Sequence, residues 1–214
     1  MTQPAGPLPA LLRPVLVLAA LVYASWLLLL IVSGEPSPVT SYVSEGGIPG
    51  APGRGAYLTG DLIAGCALLI GALLPGWPAV RSGPRAVTIG RIALGVWGLG
   101  TLVDAAFPMT CSATSDPTCA VGGAASTADL IHAGASTTAN LALLVTVIAL
   151  TIAVTSLSRG LAMVVVVMWV GSSVTTLIFE LTQANYALGL WQRGLLALTT
   201  AWLLALAFEI RIER

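Results

Sequence analysis

Six stretches of the chain are apolar for about 20 residues each, and polar connections separate them. A helix of about 20 apolar residues crosses roughly 30 Å of hydrocarbon, whereas a transmembrane strand needs only about 10 residues of alternating polarity. The pattern therefore predicts an all-α fold, a polytopic membrane bundle of six transmembrane helices. The predicted spans are residues 14–32, 56–74, 87–106, 127–155, 161–181 and 188–208.

The composition excludes a soluble globular domain. Hydrophobic residues make up 57% of the 214 positions and charged residues only 8%, whereas a soluble domain carries about 25% charged residues. The formal net charge is zero, so there is no basic surface for nucleic acid and we expect no such partner. The connections are too short to hold a further domain, which predicts a single integral membrane domain over residues 1–214.

The first span is expected to be retained rather than cleaved as a signal peptide. Its apolar run is longer than the 7–15 residues of a signal core, and no clear Ala-x-Ala cleavage site follows it. The distribution of arginine then sets the orientation, since cytoplasmic loops carry an excess of positive charge. With the N-terminus in the cytoplasm, Arg54 and Arg193 lie outside. Seven arginines lie inside: Arg13, Arg81, Arg85, Arg91, Arg159, Arg211 and Arg214. We therefore predict a plasma-membrane protein with both termini cytoplasmic.

The first outer connection contains a segment with helix signals. Ser37 and Pro38 are typical of a helix start, and Gly46 with Gly47 is typical of a stop. Between them, one helical face would carry Val39, Tyr42 and Val43, and another Ser41, Ser44 and Glu45. This pattern predicts a short helix that lies on the outer membrane surface.

The second outer connection contains Cys111 and Cys119. An extracytoplasmic compartment is oxidising, which favours a disulfide between them. The alternatives are two free thiols or a metal pair, although zinc ligands are usually spaced C-x₂₋₄-C and seven residues separate these cysteines. Cys66, in the middle of the second span, is predicted to be a small core residue.

Ionisable side chains in the spans gather towards the outer side of the membrane. Each costs about 2.5–3.5 kcal/mol at the centre of a span, so such residues usually face a bundle interior or a wet cavity. The inner half is almost entirely apolar, which predicts an outward-facing polar pocket closed from below. The candidate ligand-binding residues are Asp61, Asp104, Asp129, His132, Glu180 and Arg193, together with Ser44 and Glu45 of the first outer connection.

Other interpretations of these residues stay open. Hydroxyl and amide side chains such as Ser136 and Asn140, which continue the His132 face, commonly link neighbouring helices. Acidic residues near span ends can be ordinary interfacial residues. Asp61 and Arg193 lie at similar depth and could form a purely structural ion pair.

The residues give little support to an enzyme. There is one histidine and no H-E-x-x-H motif, so we expect neither a metal nor another cofactor. A serine nucleophile is conceivable, with Ser44 beside Glu45 and His132 opposite, but no G-x-S-x-G motif surrounds it. The leading hypothesis is binding or handling of a lipid or small molecule. The alternatives are a hydrolase of an outer-leaflet lipid and a structural subunit of a membrane assembly. The expected partners are membrane lipids and a membrane protein.

Two motifs resemble a prokaryotic family of multi-pass membrane proteins called domain of unknown function 998. The first runs from Ser37 to Gly47 and is followed by Pro49-Gly50-Ala51-Pro52. The second comprises residues 104–111, then residues 116–119 and His132. The resemblance covers most of the chain, and it implies the six-span fold without implying an activity. The arginine-only, alanine-rich composition also resembles actinobacterial sequences.

The chain departs from the family pattern at two points. Family members often have Asp where this sequence has Thr110, and they tend to have a second histidine near the start of the fourth helix, where this sequence has only His132. If those family residues bind a metal or catalyse a reaction, the resemblance implies that this chain has lost that activity.

Overall fold

The structure of the protein is a computed structural model that describes residues 8–31, 37–77, 84–116, 119, 126–153 and 156–210. The elements formed by these residues are helices, with no β-strand among them. Six are long and apolar enough to cross a membrane, so the prediction of an all-α bundle with six spans is confirmed. Several residues used in the predictions lie outside the described ranges: Val32, Arg81, Pro117, Thr118, Thr155, Arg211 and Arg214.

The spanning helices begin and end close to the predicted limits. The first consists of α1, Leu12–Tyr23, continued by a 3₁₀ helix, Ala24–Leu30. The others are α2 (Arg54–Leu73), α3 (Pro84–Ala106), α4 (Thr127–Ala153), α5 (Ser156–Thr182) and α6 (Leu188–Glu209).

The six helices form a ring in chain order. Each helix packs on the next, and α1 closes the ring against α6. The contacts of α3 with α2 and α4 are the most extensive, while the contact between α4 and α5 is much smaller. The least buried span is the one formed by α5. Helices α2, α3 and α4 are therefore the most extensively packed part of the bundle, and α5 packs mainly on α6.

Glycines permit the close packing of α2, α3 and α4. A Cβ atom at Gly98 would lie 2.7 Å from the carbonyl oxygen of Gly65, and one at Gly100 would lie 2.9 Å from Cβ of Ala139. Small residues let membrane helices approach until their backbones touch. Asp61 lies one turn from Gly65 and Asp104 one turn from Gly100, so this packing also brings two acidic side chains towards each other.

The first span changes from α-helical to 3₁₀ geometry at Ala24, which the apolar pattern did not predict. A 3₁₀ helix has three residues per turn, so residues i and i+3 lie on the same side. Trp26 and Leu29 are accordingly both buried, and the leucines between and after them face outwards. This geometry turns the Trp26 ring towards the bundle interior.

The end of the bundle that carries the connections 37–53 and 107–119 is called the loop end. The prediction of a surface helix there is wrong. Residues 38–40 form a turn and Val43–Gly47 a 3₁₀ helix. Tyr42 and Val43, expected to face the membrane, are buried in the protein, and so is Glu45 of the expected polar face. The segment is packed into the protein because its polar side chains find hydrogen-bond partners there.

The largest apolar cluster fills the bundle away from the loop end. Leu16, Leu94, Trp97, Trp202 and Leu203 are fully buried in it. A packed apolar core therefore occupies the part of the bundle where the sequence predicted that apolar residues close the polar pocket. Cys66 does not belong to this core. It is exposed on the outside of α2, which contradicts its prediction as a core residue.

Candidate functional site

A polar cavity of about 100 Å³ lies near the loop end, enclosed by the 3₁₀ continuation of α1 and by α2, α3, α4 and α6. Segment 43–44 covers part of it. Its aromatic lining consists of Tyr23, Trp26 and Tyr57. Its polar lining consists of Ser44, Asp61, Thr101, Asp104, Ser136, Asn140 and Gln192. The cavity therefore combines carboxylates, neutral hydrogen-bonding groups and aromatic rings within the spanning part of the chain.

Asp104 is the best-connected carboxylate of the cavity. Ser136 donates its hydroxyl proton to Oδ1 of Asp104 at 2.5 Å. Nδ1 of His132 lies 3.1 Å from the same oxygen, and 3.1 Å from the carbonyl oxygen of Phe107. A ring nitrogen that faces oxygen acceptors carries a proton. His132 therefore donates its Nδ1 proton towards Asp104.

Asp61 has different surroundings. It is half-buried in the cavity wall, and the hydroxyl of Tyr57, one helical turn earlier, is close enough to interact with it. It is also close enough to Asp104 for the two carboxylates to repel each other. Two acidic groups thus face one small cavity from neighbouring helices.

Ser44 also lines the cavity, and its hydroxyl donates to Sδ of Met109 at 3.3 Å. Its neighbour Glu45 is hydrogen-bonded elsewhere, and His132 is engaged with Asp104. A serine nucleophile needs a base within hydrogen-bond reach. The contacts of these residues do not assemble the serine, glutamate and histidine arrangement considered from the sequence.

Glu45 is the centre of a second group of polar residues, the loop cluster, which comprises Ser41, Glu45, Ser112, Thr114 and Arg193. The Glu45 carboxyl is 0% exposed. It accepts hydrogen bonds from Oγ of Ser112 at 2.8 Å, from N of Thr114 at 2.9 Å and from Oγ1 of Thr114 at 2.8 Å. These bonds join the two connections of the loop end to each other.

Arg193 fastens the same segment to α6. It is 7% exposed, and its Nη1 donates to the carbonyl oxygens of Pro38, Ser41 and Gly189 at 2.8–3.2 Å. Next to it, Oε1 of Gln192 accepts from N of Val43 at 2.6 Å. Arg193 is thus placed among the loop backbone, whereas Asp61 lies in the cavity wall.

Glu180 and Asp129 lie outside the cavity lining. Tyr42 donates its hydroxyl proton to Oε1 of Glu180 at 2.8 Å. Burial, followed by this carboxylate, raises the pKa of Tyr42 above the ordinary tyrosine value. Asp129 accepts from Oγ of Ser126 at 2.6 Å and from N and Oγ1 of Thr110 at 2.8 Å. Both acids therefore tie helix ends to loops.

The predicted disulfide between Cys111 and Cys119 is present. It closes the part of connection 107–119 that carries Ser112 and Thr114, the two partners of Glu45. The covalent link and the buried carboxylate therefore restrain the same loop.

Some cavity residues were missed by the sequence analysis. Tyr57 stands four positions before Asp61, a spacing that puts both on one helical face, so it was available as a signal. Gln192 is adjacent to Arg193 but points towards Val43. Trp26 had no sequence signal, because its inward orientation depends on the 3₁₀ geometry of its segment.

The acidic residues do not form a metal site of ordinary composition. No three His, Cys, Asp or Glu side chains in the described parts of the chain come together in a way that could hold a metal ion. The cavity can instead bind by hydrogen bonds, by charge and by contact with aromatic faces.

Comparison with known proteins gives a family without an assigned activity. No curated protein and no solved structure matches the chain. A family model described as "Protein of unknown function (DUF998)" matches residues 16–209, which is nearly the whole chain. The chain therefore belongs to the family of domain of unknown function 998.

Proposed function

We propose that this protein binds a lipid or small molecule in the polar cavity near its loop end. The observation that carries the proposal is that Asp61 and Asp104 line one cavity inside a membrane-spanning bundle. A charged residue within a span costs about 2.5–3.5 kcal/mol on the insertion scale, and such residues usually mark ligand or ion sites. Two of them at one small cavity favour a binding role over incidental placement.

The state of their hydrogen bonds supports the same conclusion. A carboxylate has about four acceptor sites. Glu45 in the loop cluster accepts three hydrogen bonds from the protein, which is typical of a structural group. Asp61 lies on the cavity wall with the Tyr57 hydroxyl beside it, so acceptor capacity remains for a ligand.

The proposal places the loop end outside the plasma membrane. The excess of arginine at the opposite end favours that orientation. The cavity would then be reached from the outer leaflet or from the external medium.

The two alternative functions receive less support. Ser136 and His132 both hydrogen-bond to Asp104, an arrangement that leaves neither side chain activating the other as a nucleophile. A membrane-protein partner remains a prediction, and α5, the least buried of the six spans, is the helix that we propose for the contact.

Native mass spectrometry of the detergent-purified protein tests the proposal. We expect a bound species to be released from the wild type on activation. We expect Asp61→Asn and Asp104→Asn to lose it, because both remove charge from the cavity wall. The matched control is Asp129→Asn, which changes an acid at the same end of the bundle but outside the cavity lining.

Equal retention in the cavity variants and the control would overturn the site. A wild-type protein that carries no bound species, and whose thermal stability no lipid or small molecule changes, would overturn the function itself.

A further inference from the structure

The charges around the cavity are unbalanced. No lysine or arginine stands among the described residues that line it, while Asp61 and Asp104 lie near enough to repel each other. His132 partners Asp104, but Asp61 interacts with the neutral hydroxyl of Tyr57. A cation at this position would relieve the repulsion and would be held strongly, since low local dielectric strengthens charge attraction.

The polar groups of the cavity favour a cation that donates hydrogen bonds. Carboxylates are acceptors, and the amide of Asn140 and the hydroxyl of Ser44 each carry an acceptor oxygen. A primary ammonium has three N–H donors and no acceptor, which matches this set. A quaternary ammonium has no N–H donor and depends on an aromatic cage. The rings of Tyr23, Trp26 and Tyr57 add favourable contact with either kind of cation.

Trp26 is an independent sign of a ligand. Its side chain lines the cavity and is 6% exposed, and Nε1 is buried without a hydrogen-bond acceptor among the described residues. A buried N–H group without a partner is costly, and among the buried side-chain atoms that lack a hydrogen-bond partner in the described part of the chain, Nε1 of Trp26 is the one that belongs to a cavity-lining residue. An oxygen atom of a ligand would satisfy this donor.

The cavity limits the size of the bound group. Its volume of about 100 Å³ corresponds to roughly three molecules of liquid water, at about 30 Å³ each. This is room for an amine, a short linker and an oxygen. Any larger part of the ligand would extend beyond the cavity.

From the unbalanced carboxylates and the unsatisfied N–H of Trp26, we infer that the cavity takes a protonated primary amine that also carries an oxygen acceptor. Asp61 and Asp104 hold the ammonium, and Trp26 donates to the oxygen. This inference rests on the proposed binding function and names its ligand class, an amino alcohol or its phosphate ester. The group can come from a free molecule or from the headgroup of an aminophospholipid.

Binding of small probes to the detergent-purified protein tests the charge requirement. We expect 2-aminoethanol to raise the melting temperature by roughly 5–10 °C at about 100 times its dissociation constant. Ethylene glycol, which lacks the charge, and choline, which lacks the N–H donors, should have no such effect. Asp61→Asn should weaken 2-aminoethanol binding roughly 10- to 150-fold, and the control Asp129→Asn should not.

A second variant tests the role of Trp26 without removing its ring. The probe n-propylamine has the same length as 2-aminoethanol but lacks the oxygen. Trp26→Phe should weaken binding of 2-aminoethanol about 2- to 12-fold and leave binding of n-propylamine unchanged. Equal weakening of both probes would overturn the assignment of the oxygen to Trp26.

Nanodiscs of stated composition distinguish the two sources of the amine. A rise in melting temperature when phosphatidylethanolamine replaces phosphatidylcholine, without a rise for phosphatidylglycerol, identifies the lipid headgroup. A response to 2-aminoethanol alone identifies a free amino alcohol.

Failure of this inference can be separated from failure of the proposed function. A copurified species that contains no amine, and that Asp61→Asn removes, would overturn the ligand class while leaving a binding protein. A protein that carries nothing and responds to none of the probes would overturn both.

Discussion

Glu45 and Asp61 are acidic residues at the same end of one bundle, yet their surroundings differ. Glu45 is completely buried and accepts three hydrogen bonds from Ser112 and Thr114. Asp61 lies in a cavity wall, with the Tyr57 hydroxyl beside it. Within the described residues, no buried side-chain atom of the loop cluster lacks a hydrogen-bond partner, whereas the cavity lining includes the unpartnered Nε1 of Trp26.

This difference separates a structural role from a binding role better than burial does. A buried polar network stabilises the fold only when every member is satisfied. The loop cluster meets that condition, so its residues should matter for stability. The cavity does not, so its residues should matter for ligand binding and much less for folding. The following changes test that division.

Glu45→Ala should have the largest effect. It removes three hydrogen bonds to a carboxylate, each worth about 1.5–3 kcal/mol, and takes this acceptor from the partly buried donors of Ser112 and Thr114. We expect a loss of at least about 4 kcal/mol in the free energy of unfolding, measured by reversible unfolding in mixed micelles. Glu45→Gln keeps an acceptor oxygen and should lose less. A Glu45→Ala protein as stable as the wild type would show that the loop cluster does not stabilise the fold.

Removal of the disulfide should come next. Replacing Cys111 and Cys119 by serine releases a loop closed over a sequence separation of 8, which costs about 2–3 kcal/mol in the chain-entropy description. The same measurement gives the loss, and 2-aminoethanol binding by the folded fraction should be unchanged. A large loss of binding without a loss of stability would show that this loop belongs to the cavity.

Gly98→Ala should have a smaller effect on stability, but it should lower both stability and ligand binding. The added Cβ would lie 2.7 Å from the carbonyl oxygen of Gly65, so α2 and α3 must separate at a cost of about 1–3 kcal/mol. That movement also shifts Asp61 away from Asp104 and should weaken ligand binding. The control is Gly134→Ala, which meets nothing within 4 Å. Identical melting temperatures for the two variants would contradict this interpretation of the helix packing.

Tyr42→Phe should have the smallest effect, about 1 kcal/mol for one hydrogen bond, and it depends on pH. The pKa of Tyr42 is raised in the folded state by burial and by Glu180. The hydroxyl therefore stabilises the fold below the unfolded tyrosine pKa of about 10, and this contribution is lost as the pH rises above that value. Melting curves should show wild type and Tyr42→Phe converging above pH ~10. A constant difference would contradict the assigned hydrogen bond.

Much of the fold was accessible from hydropathy. The six spans agree with the structure because a membrane helix is specified by the sum over about 20 residues, which tolerates local irregularity. The same averaging hides such irregularity, so the 3₁₀ segment Ala24–Leu30 was not predicted. Cys66 was misplaced because an apolar helix in a membrane gives no clear contrast between its buried and its lipid-facing sides.

The candidate residues were predicted as one group and the structure divides them. Sequence depth put Asp61, Asp104 and His132 in the same half of the bundle, and in the structure Asp61 and Asp104 line one cavity with His132 beside Asp104. The same criterion of depth also placed Glu180 and Arg193 among the candidate ligand-binding residues. In the structure, Glu180 accepts a hydrogen bond from Tyr42 and Arg193 donates to loop carbonyls. Depth along a helix is readable at 1.5 Å per residue, but rotation about the helix axis depends on what the neighbouring helix presents.

The sequence by itself determined the number of helices, their lengths, the disulfide and the family, because each depends on local composition or on a motif within a short stretch. Only the tertiary structure decided which polar side chains share a cavity and which form hydrogen bonds with the loops. The physical reason is that hydrogen-bond satisfaction is a property of pairs. Glu45 meets Ser112 and Thr114 across more than 60 residues of chain, and Trp26 reaches the cavity only through the packing of its 3₁₀ turn.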